Sequence, residues 1–171
     1  MKHHYFMFLI IGMLGLLVLG CSEDQATNPA ASENFQFDEN TIQTVITPKG
    51  CTLTPGYWKT HPEEWMSFVN TTFTLSGQTF FEVLWTEPAG NAYYILAHQA
   101  IAAYLNYQQG ASVPTEVGEA LTDAASLFNT HTPAQIAPLK GNDMTRKQFI
   151  KLAELLDDYN NGLIGPGHCE D

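Results

Sequence analysis

The sequence predicts an all-α fold: a single compact domain of about five or six helices whose two ends are joined by a disulfide. Three observations predict it. Long segments in the second half repeat apolar residues every three or four positions, the period of a helix that buries one face. Helix start and stop signals, with proline in first turns and glycine after last turns, punctuate those segments. Two cysteines, Cys51 and Cys169, bracket the periodic region.

Residues 1–20 carry one charged side chain, Lys2, followed by His3, His4 and the apolar run "YFMFLIIGMLGLLVL". A basic tip and an apolar core of about fifteen residues fit a secretory signal peptide and are short for a membrane-spanning helix. The run ends in "VLGC", which resembles the lipobox of bacterial lipoproteins. That resemblance implies that Cys21 receives a diacylglycerol, becomes the new N-terminus and anchors the chain to a membrane. An uncleaved anchor helix with an incidental cysteine is the alternative. The acidic "SEDQ" that follows is similar to the export tag of some Bacteroidota lipoproteins, so the outer membrane or cell surface is the expected location, with the inner leaflet still open.

Removing residues 1–20 leaves 151 of the 171 residues, enough for one domain with a proper core. It also removes Lys2, leaving six basic against eighteen acidic residues, a formal charge of −12. That charge repels nucleic-acid phosphates and anionic lipid heads, so membrane contact is expected through the lipid on Cys21 alone and nucleic acid is not an expected partner. Residues 21–47 read as lipid attachment and flexible tether, polar and without periodic apolar order. Only "TIQTVIT", residues 41–47, has a β-like pattern. A chain of that length spans roughly 30 Å on average. The helical domain then occupies residues 48–171.

Within it, short helical pieces are expected over 62–69 and 78–85. "NAYYILAHQAIAAYLNYQQG" places Tyr94, Ala97, Ile101, Tyr104 and Leu105 on one stripe, with Gly110 as a stop. "VPTEVGEALTDAASLFN" has Pro114 in its first turn and Val117, Ala120, Leu121, Ala124 and Phe128 along one face. Thr132 and Gln135 predict a single capped turn that ends before Pro138. The last helix has a T-x-x-Q signal at Thr145 and Gln148, with Met144 expected to pack on Phe149 as a hydrophobic staple. Phe149, Leu152, Ala153 and Leu156 should line its inner face, and "NNG" at 160–162 is a left-handed C-terminal cap.

Lipidation of Cys21 would leave Cys51 and Cys169 out of three cysteines, and an even pair in an exported chain predicts a disulfide. Two free thiols or half of a metal site are the competing readings, though C-x-x-C spacing is absent. In the opening stretch "CTLTPGYWKTHPEEW", Pro62 makes His61 an entry residue, while the Thr60–Glu63 spacing favours Thr60 as the cap. Tyr57, Trp58 and Trp65 are large apolar bodies with one polar handle each, and packing between disulfide and first helix is the simplest use of both tryptophans. Lys59 reads as a solvated or helix-covering side chain.

"CTLTPGYWKTHP", "LAHQAIAAYLN", "GASVP" and "LDDYNNGLIGPGHC" together resemble a family of secreted bacterial domains. Those domains begin with C-T-x-T-x-G-[YF]-W-K-x-H-P and end with N-N-G-x-x-G-x-G-H-C. The similarity runs from Cys51 to Cys169 and matches least over 70–90 and 129–143, where variable loops are expected. The family has no activity that would assign catalytic residues. The resemblance implies a domain whose two ends meet at the cysteine pair.

The expected role is therefore a cell-envelope binding or structural module with an envelope protein or glycan as partner. No cofactor is expected. Two other chemistries are weighed against it. His61, His98 and His168, with Asp157 or Asp158 nearby, are the residue types of a zinc or hydrolytic site, with His61 and His98 as its centre; but H-E-x-x-H is absent and a mid-helix histidine is more often a bonded core residue. Tyr57, Trp58 and Trp85 would supply rings for a sugar-stacking face. "DDYNNG" resembles the start of a calcium loop, but Tyr159 stands at the third position and His168 at the twelfth, so helix capping is the better reading. There is no G-x-S-x-G elbow and no glycine-rich phosphate loop.

Overall fold

A computed structural model describes residues 50–170; the leader, Cys21, the tether and "TIQTVIT" lie outside the described residues. Among the described residues the fold is all-α, with seven α-helices and two 3-10 turns, and Cys51 bonded to Cys169 across a Cα–Cα distance of 5.1 Å. The helices are α1 (Pro55–Thr60), α2 (Met66–Val69), α3 (Phe80–Trp85), α4 (Ala92–Gln108), α5 (Thr115–Thr130), α6 (Pro133–Ile136) and α7 (Met144–Asn160). The helix beyond six is α1; the expected piece over 62–69 is a 3-10 turn at Pro62–Trp65 followed by the single turn α2, and α6 is the expected capped turn.

Helix α4 is the axis. It packs against α7 most extensively and also against α1, α3, α5 and α6. Its stripe is accordingly wider than the sequence pattern suggests: Tyr93, Leu96, Ala100, Ala102 and Ala103 are buried along with Ala97, Ile101 and Leu105, while Tyr94 and Tyr104 are only partly covered. Alanine at four of those positions lets neighbouring helices approach from several sides. Helix α5 buries the predicted face, Val117, Ala120, Leu121, Ala124 and Phe128. At one end of α4 the rings of Phe73, Phe80, Tyr93, Phe128 and Phe149 meet edge to face, with Phe73 and Phe128 centroids 4.8 Å apart and Tyr93 and Phe128 5.0 Å apart. Burial pushes the Tyr93 hydroxyl up to about 12, and its oxygen lies 3.1 Å from Thr74 Oγ1. Phe73 reaches this cluster from a tight turn in which Phe73 N–H donates to the Gln78 carbonyl and Phe80 N–H to the Thr71 carbonyl. The segment from 70 to 90 is thus a core element with ordered turns.

Capping explains most boundaries and corrects three expectations. Thr79 and Glu82 form a reciprocal capping box on α3, and Thr132 and Gln135 form the predicted one on α6. On α7 the cap is Asp143, whose Oδ1 accepts from Thr145 N–H at 2.8 Å and Arg146 N–H at 3.2 Å. A carboxylate two residues earlier outcompetes the Thr145 hydroxyl and moves Thr145 into the first turn. Met144 is consequently 72% exposed and makes no staple on the buried Phe149. At the start of the domain Thr54 caps an additional helix, α1, with His61 as its C-cap; His61 is also the entry residue expected before Pro62, where the 3-10 turn Pro62–Trp65 begins. Thr60 is not a cap, because its hydroxyl donates back to the carbonyls of Gly56 and Tyr57 in its own helix.

The two ends of the domain meet beside α4 and α7. Thr52 N–H donates to the Gly167 carbonyl at 2.8 Å and Cys169 N–H to the Thr52 carbonyl at 2.9 Å, a single parallel β-bridge next to the disulfide. Beneath it lies Asn106, wholly buried on α4. Its Oδ1 accepts from Leu53 N–H at 2.8 Å and Trp58 Nε1–H at 3.1 Å. Its Nδ2 donates to the Leu53 carbonyl and to Asn160 Oδ1, both at 2.9 Å. All four hydrogen-bonding positions of the amide are filled. Asn160, also wholly buried, donates onward to the carbonyl and side chain of Gln99. Among the described residues no buried side-chain polar atom lacks a partner.

Helix α7 ends as the "NNG" pattern predicts. Gly162 has φ +71°, its N–H donates to the Tyr159 carbonyl, and Leu163 N–H donates to the Asp158 carbonyl. A Cβ at Gly162 would fall onto His168 N and within 2.7 Å of the Gly167 carbonyl carbon. Glycine is required here both for the backbone angle and for passage of the C-terminal strap.

Two substitutions test this account by urea unfolding. Asn106→Ala should cost about 3 kcal/mol or more, because it strands the Trp58, Leu53 and Asn160 groups in the interior; a loss under about 1 kcal/mol would contradict the hub. Gly162→Ala should cost at least about 2 kcal/mol through strain and overlap, and a neutral result would mean that the strap does not pass where described.

Candidate functional site

The most developed surface concavity around the sequence-selected residues is an open cleft of about 930 Å³ beside the staple. Its walls include both half-buried cysteines, Thr54, Tyr57, Thr60, His61, His168 and Glu170. Helix α1 positions Tyr57 and places His61 at its C-terminal end, whereas the bridge with Thr52 positions His168. The Tyr57 hydroxyl donates to Glu64 Oε1 at 2.5 Å. The His61 ring stacks on Tyr57, centroids 4.1 Å apart and planes 13° apart, while its Nδ1–H donates to the Tyr57 carbonyl at 2.9 Å. That bond leaves Nε2 as the acceptor nitrogen of the neutral ring.

The structure brings together only part of each predicted constellation. His61 and His168 share the cleft, but His98 does not line it. Its Nε2–H donates instead to the Val83 carbonyl at 2.8 Å, near the C-terminal end of α3. Burial holds the His98 imidazole below its usual value of 6.5; nearby Lys59 adds to this, while the Val83 and Thr86 backbone and Glu87 oppose it. Among the described residues no group of three or more His, Cys, Asp or Glu side chains is placed to hold a metal ion. Asp157 is engaged in the fold: its Oδ1 accepts from Gln99 Nε2 at 2.8 Å and Asn161 Nδ2 at 3.1 Å. This is the capping role expected of "DDYNNG".

The three proposed sugar-stacking rings are likewise dispersed. Trp58 is 0% exposed, held by Asn106, and presents no face to a ligand. Trp65 is buried too, its Nε1–H donating to the Trp58 carbonyl at 2.9 Å. Tyr57 stands in the cleft, whereas Trp85 on α3 is 52% exposed with Lys59 Nζ 4.3 Å above its ring. Lys59 therefore covers an aromatic face through a cation–π contact. Its charge also faces His98. Sequence reading missed Asn106 and Asn160 as the centre of the region. A buried asparagine within an apolar stripe is the signal that could have found the first.

No helix among the described residues is long and apolar enough to cross a membrane. The fold and site define a disulfide-stapled all-α domain with an open cleft at the staple. Comparison with protein-family models, with curated proteins and with solved structures finds no match.

The His98 assignment has a pH consequence. Its folded pKa lies below the unfolded value, so the unfolded chain binds the extra proton first and stability falls as pH drops through about 6.5 toward the folded value. An NMR titration should give His98 a midpoint below 6.5, and His98→Gln should flatten the stability profile in that window. A His98 midpoint at or above 6.5 would refute the burial-dominated environment.

Proposed function

We propose that this chain is a cell-envelope lipoprotein that presents a disulfide-stapled helical domain for binding or for a structural role. The observation that carries the reading is the Cys51–Cys169 bond. A disulfide closing the domain belongs to an oxidising compartment, and the leader with its "VLGC" end is the route there. The strongly acidic composition favours a solvated domain held to the membrane by its lipid over one that lies on anionic headgroups. The binding face is the cleft at the staple, where the Tyr57–His61 stack, His168 and Glu170 offer an aromatic surface beside polar and ionisable groups. An envelope protein or glycan is the class of partner this chemistry suits.

The enzymatic alternative centred on His61 and His98 gains no support, because the two histidines serve different surroundings and His98 is committed to the Val83 carbonyl. Expression of the full chain in a bacterial host, followed by fractionation and mass spectrometry of its N-terminal peptide, tests the anchoring. The expected result is a diacylglyceryl-modified Cys21 at the new N-terminus, with Cys21→Ser blocking both modification and leader removal. Recovery of the natural chain as an unmodified soluble species would sink the proposal.

A further inference from the structure

We propose that Asn161–Gly162 is a spontaneous deamidation site that the end of α7 holds shut, so that it reacts only when that helix end opens. Asparagine is among the thermally labile residues, and a following glycine leaves the next backbone nitrogen unshielded by any side chain. In the reaction the deprotonated Gly162 nitrogen attacks Asn161 Cγ. A new N–C bond forms, the bond to the side-chain nitrogen breaks, and ammonia leaves behind a succinimide ring. Water then opens the ring at either carbonyl, giving aspartate or isoaspartate. Water is the sole co-reactant.

Both reacting groups are restrained in the closed cap. Gly162 N–H donates to the Tyr159 carbonyl at 3.0 Å, which opposes loss of its proton. Asn161 Nδ2 donates to the Asp157 carbonyl at 2.9 Å and to Asp157 Oδ1 at 3.1 Å, turning the amide back along the helix. The backbone of Asn161 sits at ψ 2°, and ring closure requires turning it well away from that angle. Asp157 is in turn fixed by Gln99, which also receives Asn160, so the lock is continuous with the buried amide network. Reclosure after reaction is obstructed. Isoaspartate lengthens the main chain by one methylene between residues 161 and 162, in the turn whose Gly162 N–H bonds the Tyr159 carbonyl and whose Gly162 backbone lies close against Gly167 and His168. Deamidation would therefore disturb the turn that joins the end of α7 to the C-terminal strap.

The experiment incubates the full chain at mildly alkaline pH, native or unfolded in urea, and quantifies aspartate and isoaspartate at position 161 by peptide mapping. The native chain should react at least about tenfold more slowly than the unfolded one. Asp157→Ala should raise the native rate roughly fivefold, the factor for one lost hydrogen bond, and leave the unfolded rate unchanged. Equal native and unfolded rates, or an unchanged rate in folded Asp157→Ala, would overturn the proposal. Should that variant fail to fold, sub-denaturing urea on the natural chain decides. Deamidation rising in step with hydrogen exchange at the Gly162 amide supports the gate, and deamidation that stays flat while exchange rises overturns it.

Discussion

The carboxamide of Asn106 joins parts of the chain that are far apart in sequence: the strand-like entry at Leu53, the indole of Trp58, the central helix α4 and the end of α7 through Asn160. A buried amide is costly unless each donor and acceptor is met, and here each is met by a different element or atom. That makes the arrangement all-or-none. Shifting α7 along α4 by one turn would leave Asn160 and Asn106 unpaired, whereas purely apolar faces would tolerate such slippage more cheaply. The disulfide and the Thr52–His168 bridge lie directly over this amide and close the ends around it.

Residues at the two ends of the domain acquire a common physical explanation from this arrangement. Thr52, Trp58, Asn106, Asn160, Gly162 and His168 all belong to one closure, made of the bridge, the amide hub and the glycine that lets the strap pass. The stretch "GYWKTHP" is mainly the beginning of that closure. Trp58 fills the interior, Lys59 covers Trp85, and Tyr57 and His61 are left on the cleft side. A motif rich in aromatic and ionisable side chains can arise because one short helix must serve the core, the surface and a chain crossing at once.

Legibility in the sequence followed the range of the interaction. The buried face of α5 and the turn at Thr132–Gln135 depend on neighbours within a few residues, and both were readable. Competition between local signals was harder. Asp143 and Thr145 both mark a helix start, and the charged oxygen, which bonds two amide groups, prevails. The breadth of burial on α4 was not readable at all, since it depends on how many helices surround it. Phe73 was missed for the same reason: its turn carries no periodic signal, yet it delivers the ring to the centre of the aromatic cluster.

By itself the sequence determined the helical class and the glycine-capped end of α7, because periodicity and backbone angle are local properties, and it favoured the cysteine pairing that the structure shows. Only the tertiary structure decided that His98 leaves the His61–His168 side of the molecule and that Asn106 is the hub. The physical reason is that the orientation and environment of a polar side chain depend on partners distant in sequence. Whether a histidine or an amide faces solvent or a buried carbonyl is settled when those partners arrive.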